Sequence, residues 1–573
     1  MNFRITTKNQ YTAEISEETE GEVSIYRFLF SFGEKISPEE ITLEWEEGAR
    51  HYYSVYVPGF LGSSHLRPEW EPTAVKSGIC TNMPFYALLG KDGECLLTLS
   101  LSDVIHPAEL SFGYVEETDC VKGKVKLFTS FCSPMKSYAL SLRIDRESGD
   151  LAAACKRVVA WWEEAGYVNT FIPDAAFEPV YSTWYNFHQN LCAEKLLKEC
   201  RIAAGLGIKT LIVDDGWQTD DTNRGYGYCG DWAVAASKFY DFKAFVAGVH
   251  ALGMKVMVWF SVPYMGDYAK AYERFRNKIL LHDEFMHTNV LDPRYKKVRE
   301  YLVGIYADFL QVYDVDGLKL DFIDAFKSEQ PFFYREGMDC YSVEEGVLRL
   351  LSDIREAITS LKKDALIEFR QPYCGPVIGA YANMLRVADC PGDTLANLNE
   401  SVRLRLLSGH IAVHSDMLTC HTGETPEAIA AQLISALFSV PQISFTLSEL
   451  SEKQLKVLKF YLDFHARHRK LLLKSKLKVY RTDKGIVKAE GYDAEEKIVA
   501  LYAEGIVRTD GEKRVYIVNG SGQSGTVVRS KADYRYFGYD CCGELVKEGT
   551  LQAGRAEYIE TDNCFLFELR KSE

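Results

Sequence analysis

The sequence has no excess of basic residues: 573 residues carry 66 Lys+Arg against 81 Asp+Glu, a net charge of −15. An acidic surface repels phosphate backbones and anionic lipid, so neither nucleic acid nor a membrane surface is an expected partner. No run of eighteen apolar residues occurs, so no membrane-spanning helix is expected. The opening MNFRITTKNQYTAEI lacks an apolar segment after a basic start. No secretory signal is therefore expected, and a cytoplasmic location is. The 15 cysteines show no paired CxxC spacing, and Cys541 and Cys542 are adjacent. That argues against a disulfide framework and a structural zinc, and predicts reduced thiols. There is no internal repeat and no low-complexity segment. His282, His287, His410 and His414 lie in no convincing metal-ligand spacing. His410 and His414 fall four apart on an expected helix, but no helical acid stands by to act as base, so a structural pair is predicted. Neither a metal nor an organic cofactor is expected.

What is present is apolar and patterned. Hydrophobic residues make up 47% and aromatics 13%, enough for large cores, and the length predicts two to four domains. Residues 1–150 alternate short apolar and polar runs, such as VSIYRFLFSF and KVKLFTSF, the pattern of an antiparallel β-sandwich. A helix is predicted over 150–166, with Asp150 at its start and Gly166 at its end. From about 175 the period changes. Strands are predicted at 179–185, 209–214, 255–261, 316–322, 364–369, 383–388 and 441–447, with a further one near 415–419. Helices are predicted at 193–205, 241–253, 294–312, 343–361, 400–413, 425–437 and 451–468. Strands alternating with helices build a parallel sheet, and about eight such units make a (β/α)8 barrel. Residues 475–573 return to short strands, KLKVYRT, KIVALYAE, KRVYIVNG and CFLFEL, between Gly and Asp turns. The expected domains are an N-terminal β-sandwich with a linking helix (1–168), a catalytic barrel (169–472) and a small C-terminal antiparallel β domain (473–573).

Several of these strands end in acid. TLIVDDGWQ, DGLKLDF and NMLRVADCPGD each stop an apolar run at a carboxylate. The C-terminal ends of barrel strands converge on one face, where such a fold keeps its chemistry. Desolvated carboxylates there are costly unless paired or used, so an enzyme working with two or more acids is the leading expectation. Lys319 and Asp321 are two apart on a strand and share a face. A lysine beside Asp321 would hold the acid ionised, as a glycosidase nucleophile requires; the alternative is a structural pair at the barrel rim. A general acid needs a raised pKa. Asp389, directly after its strand, is the candidate, and Asp393, beyond a Pro-Gly turn, is the alternative or a turn residue. Arg386 stands on the same segment. Asp214 and Asp215 could accept hydrogen bonds from sugar hydroxyls. Glu368 and Arg370 share a strand face at the barrel mouth, as substrate contacts or as an ion pair. Trp184, Trp217, Trp232 and Trp259 sit near predicted strand ends. One such tryptophan alone reads as core; four at one barrel end read as a wall for sugar rings.

STWYNF, VDDGWQ, GDW, LKLDF and LRVADC, in that order, resemble the α-galactosidases of glycoside hydrolase family 36, in the clan shared with family 27. A DDGWQ segment also occurs in plant raffinose-synthase-like relatives. The resemblance implies a retaining mechanism with Asp321 as nucleophile and Asp389 as acid/base. It implies that Lys319, Asp214 and Asp215 hold ring hydroxyls and that Trp184 and Trp232 shape the ring site. It also implies a galactoside or oligosaccharide substrate and a possible homo-oligomer. Two segments depart from it. Cys390 stands where many members have Asp, and EFRQPYCG replaces a Cys-Gly-rich segment facing the 2-position. Glu368 with Arg370 is closer to the family 27 arrangement. An α-N-acetylgalactosaminidase, an α-galactosyl transglycosylase and a non-catalytic carbohydrate-binding barrel remain as alternatives.

Overall fold

The computed structural model describes residues 1–48, 51–59, 65–327, 334–482, 485–560 and 565–572. Phe60 and Cys564, at the ends of two predicted strands, lie outside these. Two antiparallel sheets of five and six strands form the N-terminal sandwich. Alternation fixes their packing: along Val23–Ile36, Tyr26, Phe28, Phe30 and Phe32 point inward while their neighbours face solvent. They share a core with Leu43, Trp45 and Phe112 of the five-stranded sheet.

Helix α1 (Leu151–Glu164) leads out of the sandwich. The Asp150 carboxylate caps it, accepting from the amides of Ala152 and Ala153. Trp162 anchors it by donating from Nε1 to the Leu101 carbonyl at 2.9 Å.

Eight parallel strands then close into a barrel in sequence order. They are β1 (Val180–Ser182), β2 (Thr210–Val213), β3 (Lys255–Ser261), β4 (Gly317–Asp321), β5 (Leu366–Arg370), β6 (Met384–Arg386), β7 (Ala412–Leu418) and β8 (Val440–Ile443). Nearly every residue on them is buried, as strands covered on both faces must be. The helices between them are α2 (Ala193–Leu206), α3 (Phe242–His250), α4 (Lys296–Tyr313), α5 (Val343–Leu361), α6 (Thr394–Leu407) and α7 (Pro426–Ser435), and α8 (Glu452–Leu473) follows β8. After β3 the chain inserts a small antiparallel sheet (Tyr264–Gly266, Ile279–Asp283, Thr288–Leu291) for which no strand was predicted.

Three expectations are corrected. The helix predicted at 400–413 is α6, six residues earlier, because Asp393 caps it and Gly409, at φ 67°, follows its end. His414 therefore sits in β7 and not on a helix with His410; its Nε2 lies 2.8 Å from the Ala176 carbonyl. The C-terminal domain, a seven-stranded and a three-stranded sheet, is not purely antiparallel. Glu496–Leu501 pairs parallel with Arg514–Asn519, and Ile506–Arg508 with Gly525–Arg529.

Candidate active site

Parallel register places the polar side chains of adjacent barrel strands side by side. Lys319 on β4 is level with Trp259 on β3 and Glu368 on β5, and Arg370 on β5 is level with Arg386 on β6. A barrel interior filled with such groups must satisfy them internally, and most of the contacts below do so.

Asp321, the last residue of β4, is the centre. Its Oδ1 accepts from Arg370 Nε at 2.6 Å, from the Phe322 amide at 2.8 Å and from the Tyr373 hydroxyl at 3.3 Å. Its Oδ2 accepts from Trp259 Nε1 at 3.0 Å. Burial opposes its charge, but Arg370 first, then Lys319 and Arg386, hold its carboxyl far below the usual carboxylate range. The lysine expected to pair with it instead bonds Asp214, Nζ to Oδ2 at 2.7 Å, and acts on Asp321 only through space. Arg370 is the direct cation. Its guanidinium also lies over the rings of Phe322 and Tyr373, at 5.1 and 5.5 Å.

The paired acids after β2 separate, as consecutive residues leaving a strand do. Asp214 turns to Lys319. Asp215 is tied by Gln189 Nε2 and Gln218 Nε2, each at 2.7 Å, and burial pushes its carboxyl up to about 6.

A second ionic group surrounds Arg386, which is fully buried. Its Nη1 reaches Asp416 at 2.6 Å and Asp389 at 2.8 Å, and its Nε lies 3.9 Å from Glu368. Burial opposes its charge, but Asp389, Asp416 and Glu368 more than offset that. Asp416 Oδ2 also accepts from the Tyr185 hydroxyl at 2.9 Å and the Cys390 amide at 2.7 Å. Asp416 thus pins the residue next to Asp389. The two candidate catalytic acids stand at different heights: the Asp389 side chain is 54% exposed and that of Asp321 is 9% exposed. Burial would raise Asp389, but Arg386 and Lys319 outweigh it and hold the carboxyl below its ordinary value. This corrects the expectation of a raised pKa in the free protein.

Four further expectations are corrected. Glu368 does not pair with Arg370 or open to the mouth. It is wholly buried, accepts from Gln442 on β8, and is pushed by burial up to about 7. Trp217 is core: it donates to the Trp259 carbonyl at 2.8 Å and packs on Phe260 and Phe309. Trp232 stacks behind it, centroids 5.9 Å apart, and offers almost no surface to a ligand. Asp393 is exposed and caps α6, accepting from the Ala396 amide at 2.9 Å. Trp184, directly after β1, is half-buried with its ring edge-on to His188.

Sequence reasoning missed Tyr373 and Asp416 and left Trp259 unassigned among the site residues. Trp259 was visible as a tryptophan near a strand end. Asp416 had no signal of its own, because the β7 segment was placed at 415–419 and the acid falls inside it.

Carboxylates and guanidinium groups thus gather around the C-terminal ends of β2, β4, β5, β6 and β7 of the closed parallel barrel, the end where such a fold carries its chemistry. Residues 176–360 match the family model described as Melibiase. The chain is 22% identical over 155 residues to "Probable alpha-galactosidase G" of Emericella nidulans, a match covering 24% of this chain and 21% of that relative's length. Its fold is similar along its whole length to two solved structures. The α-galactosidase of Lactobacillus brevis superposes with a TM-score of 0.67 at 13% identity, covering 85% of that chain. A family 36 α-galactosidase of Geobacillus stearothermophilus, solved with raffinose, gives 0.69 at 14% identity, covering 87%.

Proposed function

We propose that the chain is a retaining α-galactosidase that releases terminal α-D-galactose in two displacements. The observation that carries this is Asp321, an oriented and ionised carboxylate at the barrel floor, beneath a second, half-exposed carboxylate on Arg386. In the first step an Asp321 oxygen attacks the anomeric carbon. The bond to the leaving oxygen breaks as that oxygen takes a proton from Asp389, and a galactosyl ester forms. In the second step Asp389 removes a proton from water, the water oxygen attacks the anomeric carbon, and the ester bond returns its electrons to Asp321.

The charges support this alternation. Asp321 is among the groups that raise Asp389, and Arg386 and Lys319 lower it. While Asp321 is anionic its charge opposes the lowering of Asp389 by Arg386 and Lys319, and substrate covering the half-exposed carboxyl adds the desolvation that a proton donor needs. Once Asp321 is esterified its charge is gone, Asp389 becomes more acidic and can serve as base. Asp214 fixed by Lys319, Asp215 fixed by two amides and Trp184 after β1 are assigned to the sugar ring. An oligosaccharide substrate accords with the Geobacillus enzyme, variants of which have been solved with raffinose and with stachyose.

The test is hydrolysis of nitrophenyl α-galactoside followed by NMR of the first galactose released. The α anomer, lost with Asp321→Asn, is expected. The β anomer, or turnover that survives the substitution, contradicts the proposal. A panel of nitrophenyl glycosides with a modified 2-position separates the galactosidase from an α-N-acetylgalactosaminidase.

A further inference from the structure

Aromatic rings near Asp321 form a row in two groups, one around Trp259 and one on the residues that follow Tyr226. Trp259, which donates to Asp321, stacks on Tyr226 with centroids 6.2 Å apart, and Tyr226 meets Phe322 at 5.0 Å. Beyond it, Tyr228 packs on Tyr268 at 5.1 Å, and Tyr268 on His287 at 5.7 Å. The outer rings are open: Tyr228 is 43% exposed, Tyr268 56% and Phe285, two residues before His287, 90%.

The row is built by two loops. Tyr226 and Tyr228 lie in the segment after β2, and Tyr268, Phe285 and His287 lie in turns between the strands of the small sheet inserted after β3. Backbone hydrogen bonds lock the loops together: the Tyr268 amide donates to the Gly227 carbonyl at 2.9 Å and the Gly266 amide to the Cys229 carbonyl at 2.7 Å. Gly227 is the seam. A Cβ there would come within 2.9 Å of the Tyr268 ring and 3.4 Å of His287 Cβ, so only glycine lets these side chains close over the strand. Exposed tyrosines fixed in position at low entropic cost, with hydroxyls at their edges, suit a ligand with apolar faces and polar rims.

We infer that Tyr228, Tyr268 and Phe285 form a stacking platform for the outer sugar units of an oligosaccharide whose terminal galactose occupies the pocket. The inference rests on the glycosidase reading. Its occupant is chosen by adjacency to the site: Tyr228 is two residues from Tyr226, whose ring stacks on the Trp259 that touches Asp321, and Tyr268 is hydrogen-bonded to Gly227 between them. A second copy of this chain is the competing occupant.

The test measures kcat/KM for stachyose and for nitrophenyl α-galactoside with the full chain, its Tyr268→Ala and Tyr228→Ala variants, and the pair combined. Each ring contact of this kind accounts for roughly a two- to tenfold change. The stachyose-to-nitrophenyl ratio should fall by that factor in each single variant and further in the double. An unchanged ratio overturns the platform. So does loss of oligomeric mass in light scattering with both substrates reduced equally, since the row would then be a subunit contact. A wild-type chain that hydrolyses neither substrate overturns the glycosidase reading itself, a result distinct from either.

Discussion

At the residue scale the site is a set of shared charges, and removing one member should shift its neighbours. Arg386 Nη1 divides between Asp389 and Asp416, at 2.8 and 2.6 Å. The groups around this knot are Arg386 and Glu368 below, Tyr185 from the β1 side, Lys319 and Asp321 from β4, and the Cys390 amide. Asp416→Asn leaves Arg386 its full positive field toward Asp389. The acid form of Asp389 is then lost at lower pH, and the limb of the pH–rate profile that Asp389 sets should move to lower pH. A profile that falls in height without moving would make Asp416 merely structural. Asp389→Ala should cripple raffinose hydrolysis more than that of nitrophenyl α-galactoside, whose leaving group needs little protonation. Equal losses on the two substrates would assign the proton to another group. Most of this layer was legible as residue types at strand ends; who bonds whom was not. Lys319 and Asp321 share a face, yet the lysine reaches across the barrel to Asp214 because Arg370 already occupies Asp321. Tryptophans near strand ends look alike in sequence, yet Trp217, in the turn after β2, packs into the core, whereas Trp259, inside β3, reaches Asp321.

At the element scale, α6 carries the clearest separation between the two candidate acids. Asp393 caps it and faces solvent, so Asp393→Ala should cost about 0.5–2 kcal/mol of stability. Asp393→Asn, still a capping side chain, should keep both stability and turnover. Turnover abolished by that conservative change would restore Asp393 as the acid. The helix itself was displaced in the sequence reading for a physical reason. Its residues Ala396, Asn397, Leu398, Asn399 and Glu400 are all buried, so no apolar stripe of helical period marks it. The order of the eight barrel strands was readable, since each is a short apolar run between turn residues. The inserted sheet after β3 was not, because its strands Tyr264–Gly266 and Thr288–Leu291 are only three and four residues long.

At the scale of the whole molecule one core runs through all three regions. It joins Tyr56 and Phe85 of the sandwich, Trp162 of α1, the barrel, and Ile498 and Val518 of the C-terminal sheets. A strained charge in the barrel therefore loads the whole fold. Glu368, wholly buried, is pushed from 4.5 up to about 7. Folded protein then keeps a proton that unfolded chain releases between those values, so stability falls as pH rises from about 4.5 through 7. Glu368→Gln removes that proton linkage while keeping an acceptor for Gln442. Relative to wild type, its stability should gain most above pH 7, by on the order of 3 kcal/mol, read as a rise in melting temperature there. A difference between the two proteins that does not vary with pH would mean that Glu368 is ionised in the fold at no cost.

The most direct measurement traps the intermediate. Asp389→Ala lacks the base for the second step, so brief reaction with nitrophenyl α-galactoside should leave galactose bound to the protein. Digestion and mass spectrometry should find one galactosyl group, carried on Asp321. A label on any other residue, or steady turnover with no labelled peptide, would contradict Asp321 as the nucleophile.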